Sequence, residues 1–297
     1  MKIYGFDDEV ILSGANLSSD YFTNRQDRYY LFKSKDLSDY YYKVQHAVES
    51  LSYKLIHFED KSQFRLVWPT SNPVNEPGKD IEKDDVASDQ RTFVYPISQF
   101  TPLLKPDIST EKPSILKILG YVNDKSVNWT FTAGYFNMLP EIKAKLLESS
   151  SKGVVITASP YANGFYKSKG ISGCLPDAYL YLSKLFLQDV FKHGKKNDII
   201  LNEWKRGVGL WATASNEEEP SLTVIGSSNY TRRAYSFDLE TNAVVVTNDK
   251  ELKSRMSNEV SNLLQYTNTL SLEDFKDEER KVNNLVIFAT KLLGKRL

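Results

Sequence analysis

Hydrophobic and polar positions alternate with a period of two in short runs along the chain, and several longer stretches carry the wider spacing of amphipathic helices. Lys2–Phe6 and Val10–Leu12 read as strands around an Asp7-Asp8-Glu9 turn, and Tyr29–Phe32 as a third. A helical pattern with the tyrosine cluster Tyr40, Tyr41 and Tyr42 runs on to about Leu55. Residues 69–90 break the pattern with prolines and acidic side chains and almost nothing apolar, which predicts a surface loop. A second proline-punctuated stretch, Pro102 to Pro113, reads as a connector.

Beyond the connector, strands and helices alternate. Trp129–Thr132, Val154–Thr157, Ile199–Leu201, Leu222–Ile225 and Ala243–Val246 read as strands. Pro140–Leu147, Pro176–Phe191 and Lys250–Tyr266 read as helices, with a final helical stretch from Leu272 to the C-terminus. The alternation predicts an α/β fold with a mixed sheet. The expected division is residues 1–112 and 113–297, with the 69–90 loop in the first part.

Composition narrows the function classes. At 297 residues, 41% hydrophobic and 26% charged, the chain has ample material for a core. Its net charge is zero, without the basic excess that a nucleic-acid partner ordinarily requires, so none is expected. Cys174 is the single cysteine, which rules out an intramolecular disulfide framework. His46, His57 and His193 form no ligand spacing, so neither a metal nor another cofactor is expected. No stretch has the length and apolarity of a membrane span.

An internal repeat supplies the candidate chemistry. Val10–Ser18 and Thr223–Thr231 each deliver a hydrophobic strand into a turn of small residues ending in Asn, at Asn16 and Asn229. Each Asn is followed at the same distance by an acid, Asp27 or Glu240, just before or opening a new strand. Small residues and an Asn amide bring hydrogen-bond donors close to an anionic oxygen, and an acid on the next strand can orient an imidazole. A repeated β-turn whose Asn tolerates left-handed backbone and whose acid is solvated explains the same pattern.

The longer context favours the first reading. Lys2 and Asp7 stand in K-x4-D register ahead of Ser13-Gly14-Ala15-Asn16. The runs Lys2–Ser18, Tyr21–Tyr29, Thr132–Asn137, Thr157–Tyr166 and Ile225–Arg233 closely resemble the eukaryotic phosphatidylglycerophosphate synthases of the phospholipase D superfamily. The resemblance implies a phospholipase D-like architecture of two related βα sandwich domains with mixed sheets, the first one incomplete. It implies CDP-diacylglycerol and glycerol 3-phosphate as substrates, peripheral membrane contact and a mitochondrial location. The alternatives in other classes are a phospholipase D-type phosphodiesterase and a non-catalytic lipid-phosphate-binding homologue.

In that family one His attacks phosphorus and expels CMP, while a second protonates the leaving group and then deprotonates the acceptor hydroxyl. By position, Lys2, Asn16, Ser227 and Asn229 fall on phosphate-binding places, and Asp27 and Glu240 on the orienting acids. Asp7 is the motif acid, with a structural part. The resemblance places the first His just ahead of Met1. Around the second site, Trp204-Lys205-Arg206-Gly207-Val208 runs directly into Gly209-Leu210-Trp211, where the family carries an intervening His and Lys. His193-Gly194-Lys195 repeats H-x-K, but Ile200 stands where the Asp belongs, and the segment reads as a surface turn. The resemblance therefore implies a transferase, with the chain as written expected to be inactive.

Overall fold

The computed structural model describes residues 1–23, 25–58, 63–67, 91–205, 219–294 and 297, with residues 54–58 and 63–67 as backbone only. The sequence-predicted loop at 69–90 and the Val208–Gly209 junction lie outside these residues. The chain forms two compact units, Lys2–Gln90 and Arg91–Leu297, the latter taking in Met1.

In the first unit, β1 (Ile3–Phe6) and β2 (Glu9–Ser13) form an antiparallel hairpin whose turn holds Asp7 at φ 50°. After the short helix α1 (Ser19–Thr23), β3 (Tyr29–Lys33) pairs with β2 in antiparallel register, Leu12 opposite Tyr30. The helix α2 (Lys35–Ser50) follows at once, its N-terminus capped by Ser34 Oγ, which accepts the Leu37 N–H at 3.4 Å. Alternation along β2 sends Val10 and Leu12 inward, where Tyr41 and Val44 of α2 are also buried. The helix stops at Ser50, short of the expected Leu55, because residues 54–58 enter β4 (Lys54–Phe58), paired with β5 (Gln63–Val67).

Among the described residues, the second unit holds two sheets. Its elements are β6 (Thr92–Gln99), α3 (Glu111–Tyr121), β7 (Asn128–Ala133), α4 (Pro140–Glu148), β8 (Lys152–Ala158), α5 (Leu175–Lys192), β9 (Ile199–Trp204), β10 (Leu222–Ile225), α6 (Ala234–Phe237), β11 (Glu240–Thr247), α7 (Lys250–Leu264), β12 (Thr267–Thr269) and α8 (Asn284–Leu293). One sheet runs β10-β11-β6, all antiparallel. The other runs β12-β9-β8-β7, with β7, β8 and β9 parallel and β12 antiparallel. That is the mixed α/β arrangement the strand–helix alternation predicts. One core joins both sheets: Val155 and Leu201 of the mixed sheet, Ile97 and Val244 of the antiparallel one, and Ile142, Leu146, Phe186 and Val190 from α4 and α5.

Several elements escaped the sequence reading, β6 and α3 among them. The strand β6 carries Pro96 opposite Ala243, and a proline is tolerated there because, among the described residues, β6 is an edge strand. The helix α3 begins inside the expected proline connector, with Pro113 in its first turn, where a missing N–H costs no helical hydrogen bond. The expected continuous C-terminal helix is instead broken. Asp274 Oδ2 accepts both the N–H and the hydroxyl of Ser271, at 2.6 and 2.8 Å, ahead of short 3-10 turns at Asp274–Lys276 and Glu278–Arg280. Arg280 clamps Glu203 at the end of β9 through two bonds of 3.0 and 2.6 Å. A fresh cap at Asn283 then starts α8.

Candidate functional site

Each repeat folds as a strand, a small-residue turn and a returning antiparallel strand, and the two pair in one register. Val10, Ile11 and Leu12 stand opposite Phe32, Leu31 and Tyr30. At the corresponding places of the second copy, Thr223, Val224 and Ile225 stand opposite Val245, Val244 and Ala243. The matched Asn-to-acid spacing therefore has a structural cause: it brings each acid back beside its own turn.

In the first copy, Asp27 Oδ1 accepts the N–H of Gly14 at 3.1 Å and that of Arg28 at 2.8 Å. The fit is close. A Cβ on Gly14 would lie 2.8 Å from Asp27 Oδ1, so glycine lets the turn and the carboxylate approach. Burial raises the Asp27 carboxyl above its ordinary value, opposed by these two N–H donors and by the positive charges of Lys2 and Arg28. The Tyr4 hydroxyl donates to Ala15 O at 2.6 Å. Burial, the Tyr29 hydroxyl and the Asp27 charge all raise the Tyr4 phenol. Lys2, Asp27, Tyr4 and Tyr29 thus act on one another at the turn end of the hairpin, and Asn16 is exposed beside them. Asp7 stands apart, at the opposite end of β1 from Lys2. There it is exposed, and its backbone carbonyl accepts the Ser38 hydroxyl at 2.8 Å.

In the second copy, the Ser227 hydroxyl donates to Glu240 Oε2 at 2.5 Å, and its N–H donates to Asn242 Oδ1 at 3.0 Å. One N–H of the Asn229 amide reaches Ser227 O at 3.1 Å, while Asn229 and Tyr230 take φ of 50° and 54°. Two consecutive left-handed residues reverse the chain tightly, and Asn tolerates that conformation better than most side chains. The turn is braced from β7's side, where the Leu139 N–H donates to Tyr230 O at 2.8 Å and Met138 bridges Thr231. A Cβ on Gly226 would overlap the Asn242 side-chain oxygen, so only glycine fits.

Behind this turn lies a polar network that sequence reasoning missed. Glu111, at the start of α3, is 0% exposed and accepts the Tyr235 hydroxyl at 3.0 Å. Burial pushes its carboxyl up to about 7; contacts with Ser228, Tyr235 and Asn242 pull it down, and the charge of Glu240 raises it further. Burial and Glu111 together drive the Tyr235 phenol upward as well. The Gln99 amide of β6 donates to Tyr235 O at 3.4 Å. A signal for Asn242 existed: it lies two residues beyond Glu240, on the same face of the strand. Glu111 had none, because an acid in a proline-rich connector reads as solvated.

Neither His46 nor His193 takes part in either turn. His193 caps the end of α5, exposed, with Nδ1 2.7 Å from Asp189 O, and His46 is exposed on α2. Only the backbone of His57 is described, in β4. Among the described residues, no group of three or more His, Cys, Asp or Glu side chains is arranged to hold a metal ion.

No family model matches the chain. A CDP-diacylglycerol–glycerol-3-phosphate 3-phosphatidyltransferase of Saccharomyces cerevisiae is 51% identical over 339 residues, spanning 100% of this chain and 65% of the relative. One of Schizosaccharomyces pombe is 36% identical over 363 residues, spanning 100% of this chain and 70% of the relative. The chain belongs to the CDP-diacylglycerol–glycerol-3-phosphate 3-phosphatidyltransferase family. A human member, named as mitochondrial, is 29% identical and matches 99% of the chain and 60% of its own length. The chain thus spans 65% of the Saccharomyces cerevisiae family member. The crystal structure of a phosphatidylserine synthase from Haemophilus influenzae Rd KW20 shares the fold, with a TM-score of 0.67 at 18% identity over 99% of this chain and 68% of that one. The Saccharomyces cerevisiae match runs over 339 positions against 297 residues, so about 42 of its positions (339 − 297) have no counterpart here.

Proposed function

We propose that this chain carries the two phosphate-binding turns of a phosphatidyltransferase that makes phosphatidylglycerophosphate and CMP from CDP-diacylglycerol and glycerol 3-phosphate through a phosphohistidine intermediate. The observation that carries this reading is the shared register of the two hairpins, each returning an acid to a small-residue turn. In the first, Lys2 and Asn16 supply donors for a non-bridging phosphate oxygen and Asp27 the orienting carboxylate. In the second, Asn229 supplies the donor and Glu240 the carboxylate. The Ser227 hydroxyl proton is committed to Glu240, so Ser227 holds the acid and the turn in place and accepts from a neighbour rather than donating to phosphate. A carboxylate has lone pairs for more than one donor, which leaves Glu240 able to take an imidazole N–H as well. Asp7, at the far end of its hairpin, has a structural part.

Neither turn has a histidine within its own hairpin, and the family's second His and Lys fall at the Val208–Gly209 junction of this sequence. The chain as written therefore binds the donor without turning it over. Catalysis needs the histidine-bearing segments, and the unmatched positions of the Saccharomyces cerevisiae relative leave room for the one that belongs at the Val208–Gly209 junction. Mitochondrial placement follows the naming of the mammalian relatives, and membrane contact follows from a lipid donor.

The test has two arms. The purified chain is titrated into vesicles containing CDP-diacylglycerol, and CMP release is followed with glycerol 3-phosphate present. Binding without CMP release is expected, weakened about tenfold by Asn229→Ala, the scale of one lost charge-assisted hydrogen bond. Inserting the family's His-Lys segment at the junction, together with the upstream histidine, is expected to restore release that depends on glycerol 3-phosphate. Release with water alone as acceptor would instead support a phosphodiesterase. If the native transcript lacks these codons and binding persists, the non-catalytic lipid-phosphate-binding reading takes over.

A further inference from the structure

The helix α8 is built with its apolar face outward. Leu285, Phe288 and Leu292 recur at i, i+3 and i+7 and are 77%, 68% and 71% exposed; Leu293 beside them is 50% exposed. The opposite face carries Thr290, which is buried, and the helix packs against α5 on that side. Its end is tied down: the Asn137 amide donates to Gly294 O at 2.7 Å and to Leu297 O at 3.0 Å. A helix anchored by the face that carries Val286, Ile287 and Thr290, with Leu285, Phe288 and Leu292 left in water, is arranged to meet a partner along that outer stripe.

Charge selects the partner. Residues 282–297 contain Lys291, Lys295 and Arg296 and no acidic residue at all, within a chain whose net charge is zero, while Lys281 just before them pairs with Glu278 at 3.1 Å. Lys291 lies on α8 itself, exposed at the flank of the apolar stripe. An apolar stripe flanked by Lys291, with two more basic residues following in the sequence, matches an anionic bilayer surface, where the stripe enters the acyl boundary and the Lys291 ammonium meets lipid phosphates. With 10 residues the helix is about 15 Å long, enough to lie in the interface and too short to cross the membrane. Among the described residues no helix is long and apolar enough to cross a membrane.

We propose that α8 is a membrane-docking helix that seats the chain on an anionic lipid surface through Leu285, Phe288 and Leu292, with Lys291 reading the surface charge. This deepens the lipid-donor reading above by assigning the contact to one helix.

The test is co-sedimentation of the chain with vesicles of phosphatidylcholine, with and without phosphatidylglycerol, and free of CDP-diacylglycerol. The variants below change only α8 and leave both phosphate-binding turns intact, so failure here and failure of the proposed activity are separate results. The chain is expected to partition onto the phosphatidylglycerol vesicles. The triple variant Leu285→Gln, Phe288→Gln, Leu292→Gln should bind at least tenfold less, and Lys291→Gln about fivefold less. The fluorescence of Phe288→Trp should shift to the blue on adding vesicles, which keeps the idea testable if the triple variant fails to fold. Equal binding by a folded triple variant, or no blue shift, overturns the proposal. So does a chain that ignores vesicles and self-associates in sedimentation through the same three residues, which would make the occupant a second copy.

Discussion

The two repeat hairpins share a register and an Asn-to-acid spacing, yet they hold their acids in different ways. In the first, Asp27 is half-buried and rests on backbone N–H groups, those of Gly14 and Arg28. In the second, Glu240 is 5% exposed, takes a side-chain hydroxyl, and sits in front of a second carboxyl, Glu111, that is fully buried. A backbone-held acid survives most side-chain changes around it. A network-held acid depends on every member, because each buried polar group left unpaired costs about 1–3 kcal/mol. The comparison teaches that one loop geometry can be secured either by the main chain or by a polar core, with different tolerance to substitution.

Substitution at the two turn glycines breaks the comparison most severely. Gly226→Ala forces a Cβ into the Asn242 side chain, which is fixed by the buried network, and is expected to cost about 3 kcal/mol or more in urea unfolding. Gly14→Ala presses only on the end of the Asp27 side chain and should cost about 1 kcal/mol. Equal losses at the two sites would contradict the difference drawn between them.

Glu111 sharpens it through pH. Its folded pKa is raised from 4.5 to about 7, so the folded state holds the proton more tightly than the unfolded chain does. Its contribution is complete below about pH 4.5 and is lost as pH rises toward 7, by as much as roughly 3 kcal/mol over that window. In Glu111→Gln this loss should vanish, leaving a flatter stability–pH curve from thermal melts between pH 4.5 and 7.5. An unchanged curve would show that Glu111 does not titrate there.

Ser227→Ala removes the hydroxyl that Glu240 accepts and is expected to destabilise by about 2 kcal/mol, measured by chemical unfolding. Asp27→Asn, at the smallest end, keeps an oxygen for the two backbone donors and should cost under about 1 kcal/mol, measured by chemical unfolding.

Much of this was legible along the chain because it is local. Alternation fixed β2, β3, β10 and β11, and the spacing of Asn16 from Asp27 and of Asn229 from Glu240 anticipated where each acid returns. What stayed hidden is non-local. Pairing of β6 with β11 draws residues 92–112, read with the first half, into the second unit, and no local pattern announces such a partner. Proline masked both β6 and the start of α3. The depth of Glu111 arises only when α3 closes over Tyr235, so its burial is a property of packing and not of its neighbours in sequence.

Pro96 has a meaning beyond its tolerance in β6. A sheet that ends in an ordinary strand offers a ladder of donors and acceptors on which another chain can build. With a fixed φ and no N–H in mid-strand, β6 presents an interrupted ladder. The three-stranded sheet that carries Glu240 is therefore closed to growth from that side, which guards a crowded protein against edge-to-edge aggregation.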